Sequence, residues 1–230
     1  MNIFGNSVYF GIVLSIAAYT AGLSLKKKFK SAVFNPLLVS AVIIIVFLLT
    51  FRVSYEEYNS SAKYLSYLLT PATVSLAIPL YRQFEALKKN PVTILIGLLS
   101  GVLASLLSVL ALCIMFNMPP DIFYTLLPKS VTTAIGIEVA RELGGKPTIA
   151  ATVIVITGVF GNTTASGVLK IFKIKHPIAV GLAIGCSSHA VGTARAMEIG
   201  EVEGAMSSLA IAVSGIMTVL LAPLFAAIPV

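Results

Sequence analysis

Residues 91–116 read PVTILIGLLSGVLASLLSVLALCIMF, an apolar run without a single charged side chain. A helix needs about 20 mainly apolar residues to cross a bilayer, so this run predicts a membrane-spanning helix. Two further runs, at 36–51 and 204–229, have the same character. Strands of a membrane barrel alternate between polar and apolar residues, and these runs do not. The pattern therefore predicts helices.

The composition of the whole chain agrees with these runs. Of its 230 residues, 57% are hydrophobic and 11% are charged, against about 25% charged residues in a soluble domain. The net charge of +7 fits the Lys and Arg excess of cytoplasmic membrane loops. No basic helix or aromatic platform indicates a nucleic-acid partner. We predict an all-α polytopic membrane protein that contacts the lipid bilayer.

The chain divides into eight apolar segments separated by loops rich in Pro, Gly and charge. We expect a single integral membrane domain over 1–230, with 1–116 and 117–230 as possible repeat halves. The first segment precedes its basic cluster KKKFK, which predicts a retained span instead of a secretory signal. The segments are 7–25, 36–52, 64–81, 91–116, 122–141, 147–172, 177–198 and 204–229.

Two of the segments contain similar sequences. PATVSLAIPL from Pro71 aligns with PKSVTTAIGI from Pro128, an offset of 57 residues. At the same offset, Ser-Gly or Thr-Gly pairs recur at 100–101, 157–158 and 214–215. Repeats with interrupted segments in matching places are typical of secondary transporters, so we predict a transporter-like, inverted-repeat fold. Chance similarity between helices rich in small residues is the alternative.

The membrane topology stays open at this stage. If all eight segments span, the excess of Lys and Arg in the loops places both termini outside. The cluster KIFKIKHP, residues 170–177, argues for the opposite orientation of the C-terminal half. One re-entrant segment in place of a full span, such as 122–141, would reconcile the two indications.

The stretch LLPKSVTTAIG places a lysine inside an apolar segment. Pro128 cannot supply a helix N–H, and the hydroxyls of Ser130, Thr132 and Thr133 can satisfy the freed backbone groups. A helix that restarts here presents a positive dipole end to an anion. An ionisable residue at membrane depth indicates function, so we take Lys129 as a binding residue. Snorkelling from a shallow depth is the alternative.

A second polar cluster, GCSSHAVGTARAMEIG, occupies residues 185–200 and suggests another helix that unwinds. Arginine suits the grip of a carboxylate, and histidine titrates near neutral pH, which suits proton coupling. A satisfied core histidine is the alternative for His189. The candidate binding residues here are Ser187, Ser188, His189, Gly192, Thr193 and Arg195.

We expect the interrupted segments at 71–79, 128–136 and 185–195 to converge, and the first of them contributes Pro71, Thr73 and Ser75. The sequence contains no nucleophile with its base, no metal-ligand cluster and no phosphate loop, so we predict neither an enzyme nor a metal or cofactor. Cys113 and Cys186 lie in apolar segments and are expected to be core residues.

Three stretches together resemble the CidB/LrgB family of bacterial membrane proteins: LLPKSVTTAIGIEVARELGG, GCSSHAVGTARAMEIGEVEGAMSSLAI and ATVSLAIPLYRQFEALKKN. The resemblance covers nearly the whole chain. The lysine and the continuation GIEVARELGG look closer to the CidB-like branch than to LrgB proper. The family is also similar to the plastidal glycolate/glycerate translocator and to larger transporter groups with inverted repeats.

The resemblance implies two competing functions. One is a holin/antiholin-like role, with a small CidA/LrgA-like partner, that modulates murein hydrolases and autolysis. The other is transport of small monocarboxylates of the pyruvate, glycolate or lactate type, with proton coupling as an option. Either implies a multi-pass protein of the bacterial cytoplasmic membrane, and we expect a homo-oligomer. A structural or regulatory subunit is a third alternative.

The residues themselves favour transport. A holin has no use for a buried lysine beside hydroxyls, whereas a carboxylate transporter needs fixed donors and a cation to offset desolvation of the anion. We therefore predict that Lys129 or Arg195 faces the carboxylate. The hydroxyls expected to orient it belong to Ser130, Thr132, Thr133, Ser188 and Thr193.

Overall fold

The computed structural model describes residues 9–29, 36–68, 71, 74, 78, 81, 88 and 91–229. All regular elements in these ranges are helices, with no strand among them. The contacts divide the chain into two compact units, residues 1–75 and 76–230. This division does not decide between one membrane domain and the halves 1–116 and 117–230, which stay predictions.

The first unit is a small helical cluster in which α1 packs against α2 and α3. The N–H of Gly11 donates to the Oγ of Ser61 at 2.7 Å, which fixes α1 on α3. Ser54 and Glu57 form a capping box that starts α3, because each side chain bonds the other's backbone N–H. The helices are α1 (Phe10–Phe29), α2 (Pro36–Phe51) and α3 (Tyr55–Ala62), followed by a 3-10 helix (Lys63–Leu68).

Over residues 91–229 the structure describes six helices of the second unit, four of which begin at a proline. Proline suits this position because its fixed φ is already helical and its missing N–H would have no partner there. Of the helices that the structure describes, α4, α7, α8 and α9 are long and apolar enough to cross a membrane. The six are α4 (Pro91–Met115), α5 (Pro120–Leu126), α6 (Thr133–Glu142), α7 (Pro147–Ile171), α8 (Pro177–Ile199) and α9 (Glu201–Ala226).

α5 and α6 fold back on each other to form what we call the first hairpin, residues 120–142. Phe123 and Leu127 of its first arm share a buried cluster with Val139 of its second arm. Near the tip, a Cβ added at Gly136 would lie 3.2 Å from the carbonyl oxygen of Pro128. The predicted segment 122–141 is thus interrupted and doubled back, instead of straight.

The open end of the first hairpin is closed by Lys146. Its ammonium lies 2.7 Å from the carboxylate of Asp121, and its N–H donates to the Oγ of Thr125 at 2.7 Å. The hydrogen bond from Lys146 holds the pKa of the Asp121 carboxyl below its usual value. These contacts return the chain to the start of α5 before α7 begins.

α8 also folds back, at His189, where φ is 41° and ψ is −137°. A Cβ added at Gly192 would lie 2.9 Å from Cγ2 of Ile184, although eight residues of straight helix extend about 12 Å. Val180, Ile184 and Ala196 pack in one buried cluster. We call Pro177–Ile199 the second hairpin; because its arms are antiparallel, the length of α8 does not measure a membrane crossing.

α9 contacts both arms of the second hairpin. In the first arm, a Cβ at Gly185 would lie 2.5 Å from the carbonyl oxygen of Ser207. In the second arm, the Oγ1 of Thr193 lies 2.7 Å from the Oγ of the same Ser207. Gly181 packs equally closely on the backbone of Glu203. Small residues allow this approach, as is common between membrane helices.

The continuous helices α4, α7 and α9 match the predicted segments 91–116, 147–172 and 204–229 to within a few residues. The eight crossings and the inverted repeat are not established by these elements. Segment 64–81 begins in the 3-10 helix, and half of its residues fall outside those described.

Candidate functional site

Lys129 lies in the break between α5 and α6. The backbone there forms turns: the N–H of Lys129 donates to Leu126 O at 3.0 Å and that of Val131 to Pro128 O at 3.3 Å. The next helix starts at Thr132, whose extended backbone forms the N-cap. Pro128, which lacks an N–H, is fully buried beside the lysine. The predicted interruption therefore places a cation at a helix break.

The ammonium of Lys129 contacts two hydroxyls. It donates to the Oγ of Ser130 at 3.1 Å and to the Oγ of Ser105 at 3.4 Å. Ser105 in turn donates to Ser130 at 3.0 Å. Among the residues that the structure describes, no carboxylate pairs with Lys129. The lysine is thus oriented by neutral hydroxyl groups in the part of the chain that the structure describes.

Ser105 is a site residue that sequence reasoning missed. The other two serines of α4 donate to their own helix, Ser100 to Gly97 O at 2.8 Å and Ser108 to Ser105 O at 2.8 Å. Ser105 alone of these three donates sideways, to the first hairpin. A serine in the middle of an otherwise apolar helix indicates a possible site residue, but Ser100 and Ser108 fit this description equally well.

The tip of the second hairpin carries the other predicted hydroxyls. The Oγ of Ser187 lies 3.0 Å from that of Ser188, and Ser188 is fully buried. A Cβ at Gly161 of α7 would overlap the Oγ of Ser188. The missing side chain at Gly161 therefore makes the room in which Ser188 lies.

His189 is 3% exposed, and its Nε2 donates to the backbone carbonyl of Ile154 in α7 at 3.0 Å. The amide of Asn162 satisfies Val191 O at 2.7 Å, and Thr193 Oγ1 donates to His189 O at 2.9 Å. Backbone carbonyls at the break in α8 therefore accept hydrogen bonds from a side chain of α7 and from one of the hairpin's own second arm. In this position His189 fastens the hairpin tip to α7; its predicted proton coupling stays a prediction.

Arg195 lies towards the end of the second hairpin. Its guanidinium donates to the Oγ of Ser166 at 3.0 and 3.2 Å and to the carboxylate of Glu198 at 2.6 Å. Ser166 and Glu198 therefore occupy the guanidinium of Arg195, which was the predicted alternative to Lys129 for binding a carboxylate. Arg195 and Glu198 are three residues apart and pair on one helical face.

A cavity of about 1130 Å³ lies between α4, α7, α8 and the tip of the first hairpin. Four of the residues predicted from sequence line it: Lys129, Ser130, Ser187 and Ser188. The structure thus brings the two polar clusters to one cavity. The remaining lining is formed mainly by small and apolar side chains of the three helices.

The other predicted site residues lie elsewhere. Apart from Pro71, seven of those that the structure describes are absent from the lining: Pro128, Thr132, Thr133, His189, Gly192, Thr193 and Arg195. Thr73 and Ser75 fall outside the described residues, and Pro71 is a helical residue of the other contact unit. Convergence of the first interrupted segment with the other two therefore stays a prediction. No group of His, Cys, Asp and Glu in the described ranges could hold a metal ion.

Comparison with known proteins agrees with the resemblance seen in the sequence. The sequence model of the LrgB-like family matches residues 15–228. The chain is 40% identical to the antiholin-like protein LrgB of Bacillus cereus (strain B4264) over 94% of its own length and 95% of the relative. The same values hold for antiholin-like protein LrgB of Bacillus anthracis (strain CDC 684 / NRRL 3495). No solved structure gives a significant match.

The prediction of a CidB/LrgB-type membrane protein is confirmed by the family match and by both relatives. Both relatives carry the LrgB name, so the closer placement on a CidB-like branch stays a prediction. The family is not an enzyme family. By the match over residues 15–228 and the identity over almost the whole chain, this protein belongs to the LrgB family.

Proposed function

We propose that this protein acts in the membrane as an antiholin-like member of its family, together with a small holin-like partner. The identity of 40% over almost the full length of proteins with that name carries the proposal. In this role the protein would restrain the partner and thereby modulate murein hydrolases and autolysis. The particular membrane, which we take to be the bacterial cytoplasmic membrane, and a homo-oligomeric state are part of the proposal.

Co-expression with a small partner of the CidA/LrgA type tests this role. The measurement is leakage of a membrane-impermeant dye from cells that express the partner alone or both proteins. We expect the second protein to delay leakage. Unchanged leakage at matched partner levels would contradict an antiholin role.

A second candidate function, transport of small monocarboxylates, is favoured by one observation. An ammonium without a carboxylate partner among the described residues lies at the wall of a large cavity, beside two hydroxyls that orient it. A charge removed from water without a partner is unfavourable, and a bound carboxylate would offset this. The cavity far exceeds the volume of a small carboxylate, so water would fill the rest.

In this function, the four predicted lining residues would contact different parts of the substrate. Lys129 would neutralise the carboxylate, and Ser130 would donate to one of its oxygens. Ser187 and Ser188, from the second hairpin, would contact the other end of a short substrate. Because the two groups come from different hairpins, a small change in their separation would change the fit, as alternating access requires.

Purified protein in liposomes separates the two candidates. Labelled pyruvate, glycolate and lactate uptake is measured beside leakage of a large dye, with and without the small partner. Lys129→Met is compared with Lys27→Met, which alters an exposed lysine outside the cavity lining. For transport we expect saturable uptake that falls about tenfold to a hundredfold in Lys129→Met alone, since a hydrogen bond to a charged group is lost. Equal uptake by both variants, or leakage without saturation, would contradict it.

A further inference from the structure

We propose that the two hairpins are re-entrant, that they enter the membrane from opposite faces, and that the cavity between their tips opens towards the cytoplasm. The access route rests on the second candidate function above. The arrangement of the hairpins does not, and it applies equally to an antiholin-like protein.

The length of the arms indicates that each hairpin goes only partway through the membrane. The arms 177–188 and 190–199 of the second hairpin extend about 15 to 18 Å at 1.5 Å per residue. The arms α5 and α6 of the first hairpin are no longer than these. A bilayer has a hydrocarbon core of about 30 Å. A hairpin of this size that starts at one face therefore turns near the midplane and returns to the same face.

α7 links the end of the first hairpin to the start of the second. It is continuous and 25 residues long, so it can cross the core once. Its contacts show where the second hairpin turns: the carbonyl of Ile154, about a third of the way along α7, accepts from His189. Ser166, near the end of α7, accepts from Arg195. Because one crossing separates the hairpins, they begin at opposite faces.

α4 shows that the two tips meet end to end. A Cβ at Gly97 would lie 3.6 Å from Leu182, and one at Gly101 would lie 3.2 Å from Cys186, both in the first arm of the second hairpin. One turn further along, Ser105 donates to Ser130 at the tip of the first hairpin. Successive turns of one helix thus contact first one hairpin and then the other.

The breaks also follow the internal repeat. Thr132, the N-cap that ends the first break, and His189 are separated by the same offset of 57 residues as Thr157-Gly158 and Ser214-Gly215. Gly158 of α7 contacts His189 of the second hairpin, and Gly215 of α9 contacts Ile135 of the first. Each unit of hairpin and following helix therefore packs its glycine on a hairpin tip, as two inverted copies would.

The cavity extends towards one face. Its far end is lined by Thr93, Leu169 and His176, near the starts of α4 and α8 and the end of α7. These positions mark the face at which the second hairpin begins. Beyond Lys129, in the opposite direction, Phe123 and Leu127 are at most 1% exposed and belong to a compact apolar cluster.

The charges of the two faces differ. Lys170, Lys173 and Lys175 are exposed beside the cavity mouth, and the sequence has no acidic residue between Glu142 and Glu198. On the opposite face, Arg141 and Lys146 pair with Glu138 and Asp121. Lys and Arg excess marks the cytoplasmic side, and the nearby Glu201 and Glu203 count little in that rule. A basic mouth also raises the local concentration of anions.

Four single-cysteine variants of the full chain test the arrangement, in a background with Cys113→Ala and Cys186→Ala. Met118→Cys and Glu142→Cys flank the first hairpin, and Phe172→Cys and Glu201→Cys flank the second. All four positions are exposed, and the lysines of the mouth are left in place. A membrane-impermeant maleimide is added to intact cells and, separately, to permeabilised cells.

We expect Met118→Cys and Glu142→Cys to react in intact cells, and Phe172→Cys and Glu201→Cys only after permeabilisation. If Phe172→Cys and Glu201→Cys react from opposite faces, α8 is a span and the proposal is wrong. If Met118→Cys and Glu142→Cys react from opposite faces, the first hairpin is overturned. If all four react with the reverse sidedness, the cavity does not open towards the cytoplasm and that part of the proposal is wrong.

The native Cys186, which lines the cavity, tests the access route in a Cys113→Ala background. A small charged thiosulfonate should reach it from the face of Phe172, and pyruvate should slow the reaction. Reaction from the other face would contradict the access route. Correct sidedness without protection by pyruvate, lactate or glycolate would keep the hairpins and instead contradict the carboxylate site.

Discussion

The ring of His189 lies against Gly158 of α7, so closely that a Cβ at position 158 would come within 2.8 Å of Nε2. The same nitrogen donates to the carbonyl of Ile154, one turn earlier in α7. Gly158 and the carbonyl of Ile154, both in α7, thus form the surface against which the tip of the second hairpin packs.

Gly158→Ala should therefore destabilise the protein. Its methyl group would overlap a ring that is fixed by a hydrogen bond, and overpacking of this kind costs about 1 to 3 kcal/mol. Gly167→Ala in the same helix is the control, because a Cβ there meets nothing within 4 Å. There alanine should be neutral or stabilise by up to about 1 kcal/mol. Thermal unfolding in detergent measures both, and a shift in the same direction for both would contradict the packing.

His189→Gly and His189→Ala should differ in a way that reports the backbone at the turn. At φ 41° a residue with a Cβ is disfavoured by about 1 to 2 kcal/mol relative to glycine. We therefore expect the glycine variant to be the more stable. In a straight helix the order would be reversed, with glycine about 1 kcal/mol worse than alanine.

The control for His189 is Ala183→Gly, in the first arm of the second hairpin, where glycine should destabilise. Melting temperatures of the three variants in one detergent decide the matter. An alanine variant more stable than the glycine variant at 189 would mean that α8 does not reverse there.

Ser105→Ala should weaken carboxylate binding if transport is the function. Ser105 bonds both Lys129 and Ser130, and loss of such bonds weakens affinity by about two- to tenfold. Thr152→Ala is the control, because its hydroxyl donates only to Thr148 of its own helix. The KM for pyruvate uptake is the readout; equal KM values for the two variants would remove Ser105 from the site.

The sequence contains two Gly-x-x-x-Gly motifs, Gly97 to Gly101 and Gly181 to Gly185, which should respond differently to alanine. At Gly185 a Cβ would lie 2.5 Å from Ser207 O and 2.6 Å from the Cβ of Ala210, whereas at Gly97 it would meet only Leu182 at 3.6 Å. Gly185→Ala should lower the melting temperature, and Gly97→Ala should not. An equal fall in melting temperature for both variants would show that the first arm of the second hairpin does not lie on α9 as described.

Much of this fold is written locally in the sequence. The apolar runs predicted α4 and α7 to within one residue and α9 to within three, because helix length and hydrophobicity are properties of each segment alone. The break at Lys129 was also predictable, since Pro128 and three hydroxyls are chemically suited to an interruption. Four lining residues of the cavity came from those same two local clusters.

Other features of the site depend on contacts between distant segments. The importance of Ser105 follows only from its neighbour Ser130, 25 residues later. Arg195 looked as suitable as Lys129 for an anion until Ser166 and Glu198 were found to occupy it. Glu198 lies only three residues from Arg195, but Ser166 lies 29 residues away and could not be paired with it from the sequence.

The sequence by itself determined that this is a helical membrane protein, because hydrophobicity acts over a few residues. Of the three interrupted segments that it predicts, those at 128–136 and 185–195 are interrupted in the structure. Only the tertiary structure decided that both segments double back. In the second hairpin, the reversal depends on the backbone of one residue, His189. It also depends on glycines of α7 and α8 that allow close packing. Those contacts join residues that a sequence pattern cannot pair.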